Sequence, residues 1–595
     1  MPKINLLIFK SLAIFSLSFS TSFTAVPQNS LLTADSFESL IYDFEKYEIN
    51  INPIKSGQLG NRPALRMLPN VSIEAQKDNE ALIESFIQRH LALSKEQMDE
   101  NIKLSYELLG FELNQRKRLF PYDTMRIPFT NDSGFFNEMS YISSQTKFEV
   151  IDDYDAYASR LSKLPKYFEE HKKNMRRGIN TQFTASVEIM PGIIKVIDQL
   201  SKGDPKEHPF YIPFKNYPHN FNHEEKNRLD ILGETTVINS VLPAYKDLKE
   251  FIESEYLPKT RLNIGIGTNN NNREYYKALI KNFTTLEITP DEVHNIGVHE
   301  VQRIRSEMDA VIRTTNFKGT FSDFLKFLRT SPQFYASTKK QLLKEASYLA
   351  KKIDGRMPEF FQTLPRLPYG IIPVPKEIQE NYTTGRYWGG SPELNKAGNY
   401  VVNTYDLKQR PLYNLPALTA HEGVPGHHHQ IALSQEIKNV PSFRKDIHVS
   451  AYVEGWGLYA EKLAGEMGIY ETAYDKFGQL TYEMWRACRL LVDTGIHWKG
   501  WNREKAEECF FNNTALAPYN IKTEVDRYIS WPGQAVSYKI GELKILELKE
   551  FSKSQLGHQF NIREFHDQIL INGSVPLNIL DRKIKEWVKN KLMVY

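Results

Sequence analysis

From Ile238 to Tyr256 the apolar residues Val241, Leu242, Tyr245, Leu248, Ile252 and Tyr256 return every three or four positions, so this stretch must bury one face of a helix. A second helix marks its own start: Thr289 can cap it, Pro290 suits its first position, and Glu292 completes a capping box. Val293, Ile296, Val301, Ile304, Met308 and Val311 then keep the helical spacing. Strand signals are few. Tyr369 to Val374 and Asn399 to Thr404 are short, β-prone and bounded by Gly, Pro or Asn, with Pro373 favouring an edge position for the first. Gly385 to Gly398, between them, reads as a loop. The expected fold is mainly α with a small β-sheet. At 595 residues the chain exceeds what one core can serve, yet no linker divides it, so lobes of one helical unit are expected.

The amino terminus departs from this pattern. Lys3 and Lys10 precede an apolar run from Leu12 through Phe19 and then small and polar residues up to Ala25, which reads as a secretory signal peptide over residues 1–25. The run is much shorter than the ~20 residues needed to span a bilayer, so no stable membrane insertion is expected after cleavage. No cysteine lies near that point, which argues against a lipid anchor there. The predicted destination is periplasmic or secreted. A net charge of +3 over this length gives no reason to expect a nucleic-acid partner. The two cysteines, Cys488 and Cys509, allow at most one bridge.

The chemistry concentrates in Ala420 to Gln430, where His421-Glu422 is followed by Pro425-Gly426 and then His427, His428 and His429. In the common zinc peptidase motif two histidines four residues apart share a helix face, and the glutamate between them acts as general base. Here position 425 is proline. His427 would lie roughly 240° around a regular helix from His421 at ~3.6 residues per turn, so a two-residue bulge at Pro425-Gly426 is needed to bring them together. His428 keeps the face without a bulge, but sits about 10 Å along the axis, and is the alternative ligand. His299-Glu300, by contrast, is followed by Arg303 and reads as ordinary helix surface. Downstream, Tyr452 to Glu461 reads as an amphipathic helix. From it Glu454 is placed to supply a third protein ligand, and Glu461, two turns on, to support a ligand from behind. His421, His427 and Glu454 are therefore the expected ligands of one zinc ion per chain, and Glu422 the base.

The pattern His-Glu-x-x-Pro-Gly-His-His with a later Glu-Gly-Trp resembles the bacterial domain-of-unknown-function 885 family, related to the gluzincin metallopeptidases. The likeness runs from about Leu40 to the carboxyl terminus. It takes in Asn403-Thr404, Asp493 to His497, Arg527-Tyr528, Pro532 to Ala535 and Ser537 to Gly541. It implies a metallopeptidase-like helical fold split by a cleft, so that residues 26–595 form two lobes around the site.

The expected function is that of an exported zinc hydrolase acting on short peptides. The rivals are a zinc hydrolase of a non-peptide amide or ester, and an inactive exported protein that binds metal or peptide. Candidate donors to a developing oxyanion are Tyr538 and His497, the latter oriented by Asp493 four residues earlier. Arg527 is a candidate for holding a substrate carboxylate. Asn403, on the strand ahead of the motif, is a further substrate-binding candidate.

Overall fold

The computed structural model describes residues 34–593 apart from 268, 377, 381, 393 and 394. The signal-peptide segment lies outside the described residues. The fold is mainly α with one three-stranded sheet, as the periodicity predicts. Among the described residues no helix is long and apolar enough to cross a membrane.

The helix expected from Ile238 to Tyr256 begins earlier, at His223, and passes through π-helical turns at Val237–Val241 and Ile252–Tyr256. Its predicted face is buried: Val241, Tyr245, Leu248, Ile252 and Tyr256 are all at most 1% exposed. Pro290–Thr314 starts with the predicted capping box, in which the Thr289 hydroxyl accepts the Glu292 N–H and the Glu292 carboxylate accepts the Thr289 N–H. On that helix His299 is exposed, but Glu300 is not the surface residue its neighbours suggest. Its carboxylate turns inward to Lys539 Nζ at 2.9 Å, a partner 239 residues away that no local pattern reveals.

The sheet has the order β1-β3-β2, with β1 Tyr369–Pro373, β2 Gly385–Trp388 and β3 Gly398–Val402. β1 runs parallel to β3 and forms an edge, where Pro373 is tolerated. β2 replaces the first part of the expected loop. It pairs antiparallel with β3, Tyr387 opposite Tyr400, because the Tyr387 ring needs a buried face that the glycines around it conceal in the sequence.

The helices that carry the chemistry sit where two apolar clusters meet. Ala417 and Leu418 belong to one cluster, while Ala420 and Val424, a few residues on, belong to the other. The long helix Ala473–His497 does the same, with Val492 in the first cluster and Leu490 in the second. Cys488 and Cys509 are paired, tying that helix to Arg503–Asn513.

Candidate metal centre

The helix Leu415–Glu422 carries His421 and Glu422 in its last turn and stops at Gly423. Instead of a bulged continuous helix, the chain ends one helix and begins another, His427–Gln435. Pro425, in a cis peptide with Val424, has no N–H to offer the helical ladder. Other bonds close the gap: Gly426 N–H donates to the Ala420 carbonyl at 2.9 Å and His428 N–H to the Gly423 carbonyl at 3.1 Å. Gly426 passes so close to the first helix that an added Cβ would lie 2.0 Å from the His421 carbonyl oxygen. The Trp456 indole N–H fixes the crossing by donating to the Pro425 carbonyl at 2.8 Å.

This break brings the His421 and His427 rings to 4.6 Å, nearly perpendicular. Glu454, on the helix Ser450–Glu466, reaches both: its Oε2 lies 3.6 Å from His421 Nε2 and 3.4 Å from His427 Nε2. The three potential ligand atoms all fall within 4.8 Å of one another. Around a tetrahedral zinc with bonds of ~2.0–2.1 Å, donor atoms stand roughly 3.3 Å apart, so the spacing and the donor types fit that ion. Behind the site, His421 Nδ1–H donates to the fully buried Glu461 at 2.8 Å, which leaves Nε2 as the ligand nitrogen. Burial pulls the His421 pKa down, but the carboxylates of Glu454 and Glu461 outweigh it and raise it to about 10. Glu454 is held well below the usual carboxylate range: burial alone would raise it, but the two histidines prevail. Side-chain exposure rises from 4% at His421 through 10% at His427 to 17% at Glu454, so solvent approaches from the Glu454 side.

Two glycines of the Ser450–Glu466 helix make this geometry possible. A Cβ at Gly457 would lie 2.7 Å from His421 Cε1, so the imidazole rests on bare helix backbone. Gly455 lies against Gly541 of the helix Ser537–Leu556, where neither has room for a side chain. Glu422 projects beside His421, and one of its oxygens accepts the backbone N–H of Tyr387 on β2 at 2.7 Å.

His428 turns away from this cluster. Its Nδ1 meets the Tyr387 hydroxyl at 3.0 Å, its ring packs on Tyr369, and burial pushes its pKa down to about 4. His429 is fully buried against Phe361.

The more distant candidates separate. The Asp493 to His497 pairing expected from their spacing does not form. His497 Nε2–H donates to the Tyr528 carbonyl at 2.8 Å and its Nδ1 accepts the Ile266 N–H at 3.1 Å, so both ring nitrogens are committed to backbone. The Asp493 carboxylate instead accepts the Tyr276 hydroxyl at 2.6 Å and the Gly533 N–H at 3.0 Å, anchoring the turn before Ser537. The Asn403 amide is spent on the carbonyls of Gln379, Tyr382 and Thr383, and so orders a loop rather than facing a ligand. Tyr538 and Arg527 do meet, Arg527 donating to the Tyr538 hydroxyl at 3.3 Å. They lie in an arginine cluster with Arg486, which pairs with Glu461 at 3.1 Å and so reaches His421 through that carboxylate.

Sequence reasoning missed Arg486 and Arg489, although their spacing with Tyr482 and Asp493 already marks one helix face. It also missed the Tyr387 N–H, a backbone group with no signature, and His448, which is exposed yet close enough for the charges of His427 and Glu454 to act on it.

The profile of a family described as "Bacterial protein of unknown function (DUF885)" matches residues 53–584. Among solved structures, one described as "the putative lipoprotein from Colwellia psychrerythraea" superimposes with a TM-score of 0.88 at 27% identity, covering 93% of this chain and 98% of that one. Another, "a putative lipoprotein of unknown function from Shewanella oneidensis", gives a TM-score of 0.70 at 15% identity, covering 92% and 99%, and shares the fold. No curated protein matches the chain.

Proposed function

The chain belongs to the bacterial DUF885 family, and from that premise we propose that it is an exported zinc-dependent hydrolase of the gluzincin metallopeptidase type, acting on short peptides. The observation that carries the reading is the convergence of His421, His427 and Glu454 from three helices, with Glu422 beside them. Three protein donors and one open position are the usual catalytic arrangement, whereas structural sites are closed by four. When bound, zinc would supply Lewis acidity and bring the pKa of a coordinated water towards ~7. The chain's own groups do the rest. Glu461 fixes the His421 tautomer. Tyr387 N–H holds one oxygen of Glu422, which leaves the other to take a proton from the attacking water and return it to the leaving amine. Export is in keeping with the amino-terminal sequence and with the lipoprotein description of the structural relatives.

The test is a mixed peptide library incubated with the zinc-loaded protein, with products identified by mass spectrometry. We expect peptide products from the wild type. Glu422→Gln should keep about one zinc per chain yet lose at least ~100-fold in turnover, the scale set by general-base catalysis. A library left intact while amide or ester model compounds are hydrolysed would move the assignment to a non-peptide substrate. Full activity in Glu422→Gln would remove the proposed mechanism.

A further inference from the structure

Three arginines crowd one tyrosine behind and beside the metal centre. Measured from Cζ to the centre of the Tyr538 ring, Arg489 lies at 4.3 Å, Arg527 at 5.9 Å and Arg486 at 6.0 Å. Their carboxylate partners are too few. Arg486 has Glu461 at 3.1 Å, but that carboxylate also serves His421. Arg489 and Arg527 share Glu524, at 3.0 Å and 3.8 Å. Three guanidinium groups thus face two carboxylates, one of them already engaged.

The surplus is also visible in hydrogen bonding. Arg486 Nε and Arg489 Nη1 are buried and have no acceptor among the described residues. Their side chains are only 5% and 3% exposed, so water does not readily compensate them. Buried guanidinium donors without acceptors are costly and are seldom retained unless something satisfies them. Arg527, at 19% exposure, is the open edge of the cluster, and Tyr538, at 7%, lies beneath it. A planar carboxylate is the group that matches guanidinium forks, accepting two parallel hydrogen bonds and supplying the missing negative charge. The place matters as much as the charge. One carboxylate, Glu461, bridges Arg486 and the proposed ligand His421, so the cluster is one side chain removed from the proposed metal. An extended peptide advances only ~3.3–3.6 Å per residue, so a terminal carboxylate at the cluster leaves a bond very few residues upstream near the metal.

We propose that Arg489, Arg527 and Tyr538, with Arg486 behind them, form a subsite for the free carboxyl terminus of the substrate, so that the enzyme releases short fragments from that end. The proposal rests on the peptidase reading above, but it is tested first by binding. Isothermal titration of the metal-free protein with N-acetyl-tetraalanine and with its carboxyl-terminal amide should show the acid binding about 10- to 100-fold tighter, the range for hydrogen bonds to a charged group. Arg489→Gln and Arg527→Gln should bring that ratio close to one, with folding checked by circular dichroism. The wild-type comparison needs no variant and stands even if a variant fails to fold. The zinc-loaded protein should show the same preference in kcat/KM. Preference for the acid in binding, without cleavage of either peptide, would support the subsite and remove the peptidase reading. Equal binding of acid and amide by the wild type, or a preference that survives in both folded variants, would overturn the subsite.

Discussion

His427 and His428 are adjacent in sequence, but the helix that begins at His427 sends only the first towards Glu454. His427→Ala should therefore lower zinc affinity by more than ~100-fold, beyond the 10- to 100-fold usual for groups behind a ligand, while His428→Ala should change it by less than about threefold. Competition against a chromogenic chelator measures both. A larger loss at 428 would mean that the two helices meet differently. A second histidine gives a pH prediction. Both ring nitrogens of His171 lack partners among the described residues, the ring stacks 4.0 Å from Phe135, and burial pushes its pKa down to about 3. The folded chain favours its neutral form, so its contribution is complete above pH ~6.5 and declines as pH falls towards 3, because the unfolded chain takes up the proton first. Urea titrations should show that His171→Phe loses about 2 kcal/mol less stability than wild type between pH 7 and pH 5. At this scale the sequence is readable where chemistry demands fixed neighbours: His421, Glu422 and Glu454 each stand in a motif. For Arg486 and Arg489 the spacing marks a helix face but not its burial, since an arginine on a long helix normally faces water, and the tertiary approach of Tyr538 and Glu461 buries them.

At the scale of elements, the proposed metal centre depends on how closely the Glu454 helix approaches Ser537–Leu556. A Cβ added at Gly541 would lie 1.8 Å from the Ala451 carbonyl, three residues before Glu454. Backbone cannot yield as a flexible side chain can, so Gly541→Ala should destabilise by ~3 kcal/mol, the upper part of the range for overpacking. It should also weaken zinc binding, because the shift moves Glu454 away from both histidines. A variant with unchanged urea midpoint and zinc affinity would show that the two helices slide freely. Helices were the most legible elements, and Pro290–Thr314 shows why: capping box, proline and apolar spacing all agree. β2 was hidden for the opposite reason. Four residues beginning with glycine carry no period, and their strand character comes from pairing with β3. The break at Pro425 was anticipated as a distortion within one helix. The structure makes it a boundary, because the missing N–H of proline is compensated by bonds that start a second helix.

At the scale of the whole molecule, a buried charge network joins three of the long helices. Lys539 Nζ reaches Glu300 on Pro290–Thr314 at 2.9 Å, Glu483 on Ala473–His497 at 2.9 Å, and Glu542 on its own helix at 2.6 Å. Arg303 adds a second cation, bonded to both Glu300 and Glu483. Lys462 adds its field at Glu483 and Glu542, yet Glu542 is the least supported of the three carboxylates: one oxygen has no partner among the described residues, and burial pushes its carboxyl upwards. Glu483 is held well below the usual range: burial alone would raise it, but Lys539, Lys462 and Arg303 together outweigh it. Unequal costs follow for changes that look alike on paper. Lys539→Met strands buried negative charge and should destabilise by about 3–5 kcal/mol, the scale for breaking a buried ion pair by removing one partner. Glu542→Gln removes a carboxyl whose charged form burial already disfavours and keeps the shape, so it should cost no more than about 1 kcal/mol. Guanidinium denaturation of both variants measures the difference. Equal costs would show that Glu542 carries a full charge and that Arg303 alone cannot balance the cluster. The same helices position the His421, His427 and Glu454 cluster, since Ser537–Leu556 packs on the Glu454 helix and Ala473–His497 supplies Arg486. Lys539→Met should therefore also lower zinc affinity, although its Nζ contacts none of His421, His427 and Glu454 among the ion pairs found, and Glu542→Gln should leave that affinity unchanged.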